Sequence, residues 1–149
     1  MANRWLLRMT VFLALCLGAF GAHGDRQRVG DYVIHYSAIG TRFLAPEVAE
    51  EYGIQRSAGL GLVHVSVREH RDDGTTRPAS ASVKGSVGPL KETPKSLDFR
   101  TVRDNGAVYQ LATFRLTHDA PMHFTLKVRA DRNAAAETVR FVQRFYLER

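Results

Sequence analysis

Apolar residues recur at every second position through most of this chain, and that period restricts its fold more than any other feature. A repeat of two belongs to half-buried strands, whose side chains alternate between faces. In DYVIHYSAI (31–39), Tyr32, Ile34, Tyr36 and Ala38 share one face and Val33, His35 and Ser37 the other. LVHVSVRE (62–69) sets Val63, Val65 and Val67 against His64, Ser66 and Arg68. The pattern continues through PASASVKGSVG (78–88), where Pro78 marks an edge or a strand start, and SLDFRTV (96–102). Asp104-Asn105-Gly106 is a hairpin turn into AVYQLATFRL (107–116), since Asn and Gly accept positive φ. In that strand Tyr109 and Leu111 are out of phase with Phe114 and Leu116, which predicts a bulge near Ala112. MHFTLKVRA (122–130) and TVRFVQRFYLE (138–148) complete the series. These runs predict an all-β fold, an immunoglobulin-like antiparallel β-sandwich of about seven strands.

One stretch breaks the period. RFLAPEVAEEYGIQRS (42–57) reads as a short helix between the first two strands. Pro46 suits a first helical turn, Glu47 faces the positive end of the dipole, and Gly53 stands where a left-handed residue ends the helix. Val48 and Tyr52 share a face with Leu44 and Ile54 in reach. Two turns of helix do not hold alone in water. The segment is therefore expected to dock, closing one open end of the sandwich.

Residues 1–24 have the layout of a secretory signal. Arg4 and Arg8 precede an apolar run from Met9 to Phe20, and no acid occurs in the segment. The run is shorter than the roughly 20 residues a membrane span needs. Cleavage is expected after Gly21 or Gly24, leaving 25–149 as a single domain. Cys16 follows Leu15, not the small residue of a lipoprotein signal, so it is read as part of the apolar run. Removal of the leader takes away Cys16 and Trp5, so no disulfide can staple the domain and its core must hold it. Twenty-one basic residues less Arg4 and Arg8 leave nineteen against fifteen acids, a net +4. For an exported protein that balance points to anionic envelope components, not nucleic acid.

Four blocks carry a family resemblance: GDYVIHYSAI (30–39), FLAPEVAEEYGIQRS (43–57), LVHVSV (62–67) and RFVQRFYLE (140–148). Together they resemble an exported proteobacterial domain-of-unknown-function family, DUF4426. The resemblance implies a periplasmic immunoglobulin-like sandwich and brings no activity, cofactor or catalytic residue.

No catalytic constellation stands out. GSVG (85–88) is not a nucleophile elbow, and GLGLVH (59–64) leads into a strand where a phosphate loop would start a helix. Asp72 and Asp73 occupy a turn, and Glu47, Glu50 and Glu51 solvate the short helix. The expectation is a non-enzymatic periplasmic domain, without cofactor, that binds an envelope protein or anionic polymer. Two surfaces are candidates: the helix end (Phe43, Leu44, Tyr52, Arg56) and a basic face of outward strand residues. That face would draw on Arg100, Arg115, Lys127, Arg129, Arg140 and Arg144, provided their strands share a sheet. The alternative is a periplasmic copper or zinc protein using His35, His64 and His123, with His64 and His123 as the leading pair; none has a local HxH or HxxxH spacing.

Overall fold

The computed structural model describes residues 24–117 and 119–147. Apart from Gly24, the expected leader lies outside these residues, as does His118. Ten strands follow in order: β1 (Asp25–Val29), β2 (Tyr32–Gly40), β3 (Leu60–His70), β4 (Thr76–Ala79), β5 (Ser82–Pro89), β6 (Lys95–Leu97), β7 (Arg100–Asp104), β8 (Ala107–Arg115), β9 (Pro121–Arg129) and β10 (Glu137–Arg144). A 3-10 turn (Thr41–Phe43) and the helix α1 (Pro46–Glu51) lie between β2 and β3. All pairings are antiparallel. One sheet, called A, runs β1-β2-β3-β8-β7 with β4 beside β3, and the other, B, runs β10-β9-β5-β6. The expected β-sandwich is the fold.

The strand count differs for a physical reason. Two of the expected runs each serve both sheets: β4 belongs to A and β5 to B, while β6 belongs to B and β7 to A. A strand that turns a corner between sheets keeps its alternation, so the crossing is invisible in the hydrophobic pattern. The tenth strand, β1, carries DRQRV and has too little apolar content to announce itself. It is an edge strand paired in full with β2.

Between the sheets lie the inward faces: Ile34, Tyr36 and Ala38 on β2, Val63, Val65 and Val67 on β3, and Phe114 on β8. Met122, Phe124, Leu126 and Val128 of β9 oppose them. Phe124 stacks on Phe141 at 4.5 Å, and Phe114 meets Phe124 edge-on at 5.2 Å. Such aromatic pairs add about 0.5–1.5 kcal/mol each beyond their buried area. Polar clasps join the layers at their margins. The Gln143 amide donates to the Ala38 carbonyl at 2.9 Å, and the Gln27 amide donates to Glu137 at 3.1 Å.

No bulge interrupts β8. Its register runs unbroken from Leu60↔Arg115 to Val65↔Gln110 against β3, and from Arg100↔Leu111 to Asp104↔Ala107 against β7. Tyr109 and Leu111 face outward and Ala112 and Phe114 inward, and both sides are covered. The two apolar subsets fall out of phase because the strand is buried on both faces.

The cover on the outer side is the helical segment. It does not close an end of the sandwich, as expected; it lies flat on the outer face of sheet A. Leu44, Val48, Ala49, Tyr52 and Ile54 pack there on Leu62 of β3 and Leu111 of β8, with Val102 and Tyr109 alongside. Four strands of sheet A (β2, β3, β7 and β8) carry apolar residues on their outer side, and a face so exposed would be costly in water.

Candidate functional site

Local chemistry fixes the helical segment at both ends. Pro46 opens α1, and Gly53, at φ 63°, turns the chain out of it. The Gly53 amide donates to the Glu50 carbonyl at 3.1 Å and the Ile54 amide to the Ala49 carbonyl at 2.7 Å, which closes the helix C-terminus. The fully buried Thr41 hydroxyl accepts from the Ser57 amide at 2.9 Å and donates to the Ser57 carbonyl at 3.2 Å, clasping the segment's two roots. Arg56 donates to the Arg42 carbonyl at 3.0 Å, a second clasp at the same place.

Of the helix-end candidates, Leu44 and Tyr52 are each only 6% exposed and hold the helix to the sheet. They are therefore corrected from partner-facing residues to packing residues. Tyr52 donates its hydroxyl to Asp104 at 2.7 Å, and Arg100 donates to the Tyr52 carbonyl beside the negative end of the helix. Burial, followed by the Asp104 hydrogen bond, raises the Tyr52 hydroxyl well above its ordinary pKa. Phe43 remains 54% exposed with the Arg42 guanidinium 4.9 Å above its ring, and Arg56 is exposed.

The strand histidines do face away from the core, but on different sheets. His64 lies on the outer face of sheet A beneath the helical segment, its ring 5.0 Å from Tyr109. His123 lies on the outer face of sheet B, opposite Val142 and Gly88. The expected His64–His123 pair is thus split by the whole sandwich. Its actual neighbour is His35: the pairings His35↔Ser66 and Ser37↔His64 set the two rings diagonally on adjacent strands. Burial pushes His64 down to about 4, with the His35 charge adding to it. His35 is lowered by burial, then by Arg26 and Arg68. Among the described residues no three histidine or carboxylate side chains gather as a metal would need.

The basic residues resolve into two sets. Arg100 and Arg115 belong to sheet A. Lys127, Arg129, Arg140 and Arg144 share the outer face of sheet B, joined by Lys84, which sits directly opposite Lys127. Arg144 pairs with Asp119 at 3.0 Å. Lys84, Lys127, Arg129 and Arg140 are exposed, and none is in an ion pair among the described residues. On β5, β9 and β10 the outward positions hold Ser, Thr, His, Lys and Arg with Gly88, Pro121 and exposed Val142 among them, and no Asp or Glu. Lys84 was not among the expected residues, although its position between inward Val83 and Gly85 marks it as outward.

These features define a class: an antiparallel β-sandwich with a helical cap on one outer face and a carboxylate-free basic patch on the other. The chain matches the model of a domain of unknown function, DUF4426, over residues 26–148, and it belongs to that family. It is 33% identical to a DUF4426 family protein of Pseudomonas aeruginosa PAO1, PA0388, whose crystal structure superimposes with a TM-score of 0.70 over 85% of this chain and 97% of that one. A copper-bound variant of FetP from uropathogenic Escherichia coli strain F11 is 7% identical, with a TM-score of 0.54 over 86% of this chain and 93% of that one. FetP of the same strain, as isolated after expression in the periplasm, is 8% identical with a TM-score of 0.52, over 86% and 98%. At such identities the likeness is one of fold alone. No curated protein sequence matches the chain. Among the described residues no helix is long and apolar enough to cross a membrane.

Proposed function

We propose that this protein is a non-enzymatic periplasmic domain that binds an anionic component of the cell envelope through the outer face of sheet B. The observation that carries the reading is the group Lys84, Lys127, Arg129 and Arg140, exposed on three adjacent strands without an acid among them. Residues two apart on a strand stand roughly 7 Å apart, and neighbouring strands about 5 Å. The charges therefore form a flat grid, suited to a polymer or headgroup array with repeated phosphates or carboxylates and poorly suited to a single small anion. Direct opposition of Lys84 and Lys127 costs stability, and an anion lying across both would relieve that repulsion. Export rests on the expected leader over residues 1–24. The test is binding of the purified protein to lipopolysaccharide and to phosphatidylglycerol vesicles, with phosphatidylcholine vesicles as the neutral control. Binding to an anionic surface that weakens steeply between about 0.05 and 0.5 M salt is expected; indifference to charge and salt would refute it.

A second reading has two observations in its favour. The fold is shared with copper-bound FetP, and His35 and His64 stand side by side. Arg26, paired across from His35, and Arg68 set positive charge against a cation there. Metal content of untagged protein separates the two: stoichiometric copper or zinc, lost in His64→Gln, would favour the metal reading.

A further inference from the structure

The two sheets part where β8 runs past the end of β7. Their pairing stops at Arg100↔Leu111, so residues 113–117 have no strand on that side. The opposite side of β8 is held: the Leu116 amide donates to the Gly59 carbonyl at 3.0 Å, and Arg115 lies across from Leu60. In an antiparallel strand, successive residues aim their N–H and C=O groups to alternate sides. With Leu116 aimed at β3, Thr113 and Arg115 aim the other way, in phase with Leu111, which faces β7. Among the described residues no backbone group pairs with them there.

This bare edge opens onto a cleft of about 380 Å³, near the lower end of the range for ligand sites, roughly 300–1,000 Å³. Its floor is the buried Phe114, Met122 and Val87, and its far wall is β6 of the other sheet. Arg115 and Lys95 stand at its rim, against a single acid, Glu92.

The geometry points to an extended peptide as the occupant, added as a strand to the Thr113–Arg115 edge. One apolar side chain of the peptide rests on Phe114 and Met122, and its C-terminal carboxylate lies between Arg115 and Lys95. The apolar floor and two cations alone would suit any small amphipathic anion. Main-chain donors and acceptors at strand spacing single out a peptide, because strand addition uses that repeat for affinity and a side-chain pocket for selection. Exposed edges are usually blunted by proline or lysine; residues 113–117, TFRLT, contain neither. Recessing the edge in a cleft does that work instead, since it admits one chain and not a second sheet. This site is separate from the basic face of sheet B and stands or falls without it.

The test is titration of acetyl-Thr-Val-Thr-Leu, with a free C-terminus, into 15N-labelled protein. The expected result is movement of the Thr113 and Arg115 amide resonances, slower exchange at both, and binding about ten-fold weaker for the C-terminal amide. Arg115→Gln with Lys95→Gln, both exposed positions, should reduce the free acid to the affinity of the amide and leave the amide peptide unchanged. The inference is overturned if no resonance at the cleft moves at millimolar peptide, if a backbone N-methylated peptide binds equally well, or if decanoate moves the same amides as strongly.

Discussion

Two side chains where the helical segment meets sheet A decide how firmly it is held. His64 keeps its neutral form when folded until pH falls to about 4, whereas an unfolded chain protonates it near 6.5. Between those values the unfolded chain binds the extra proton, so the contribution is whole above about 6.5 and is lost as pH falls toward 4. The loss is on the order of 3 kcal/mol. Urea unfolding of wild type and His64→Gln at both ends of that window should show the wild type losing more stability on acidification; parallel losses would mean that the imidazole is hydrated in the folded state. Tyr52→Phe removes the hydrogen bond to Asp104 and should cost about 1–2 kcal/mol in the same assay without altering the core. Alternation told correctly that His35, His64 and His123 point away from the core. It could not tell that His64 is largely buried, because Leu44, Val48 and Tyr52 dock on Leu62 and Leu111 beside it, and that docking place leaves no periodic mark.

At the scale of elements, β8 and β5 show what pattern does and does not convey. The phase break between Tyr109-Leu111 and Phe114-Leu116 was a true signal of unusual packing. Its cause was a second apolar contact, not a bulge, and the same residues marked where the helix docks. The helix itself was legible in full, from Pro46 to the left-handed Gly53, because caps and proline act locally. Sheet changes between β4 and β5 and between β6 and β7 were not legible, since turning a corner preserves a period of two. On β5, Lys84 faces Lys127 across the ladder. Lys84→Thr should therefore stabilise the domain by a few tenths to about 1 kcal/mol, while weakening attachment to anionic surfaces. A thermal melt that moves down instead would show that the lysine stem, not its charge, dominates at that position.

For the whole molecule, the two outer faces of the sandwich differ in chemistry. Sheet A turns its outer side to the helical segment and is largely spoken for; sheet B leaves its outer side bare, basic and free of acids. Sequence alone offered six cations for that face, and sheet membership kept four of them, moved Arg100 and Arg115 to the other layer, and added Lys84. Membership in a sheet depends on long-range pairing, such as β5 with β9, which no local pattern encodes.

A sheet-specific attraction differs from the pull of net charge, and a paired charge reversal separates them. Lys127→Glu with Arg129→Glu changes sheet B, and Arg26→Glu with Arg28→Glu makes the same change in total charge on the outer side of β1 in sheet A. Affinity of each for phosphatidylglycerol vesicles at one salt concentration is the deciding measurement. The account predicts a loss of at least about ten-fold for the sheet B variant and little change for the other; equal losses, or none, would contradict it.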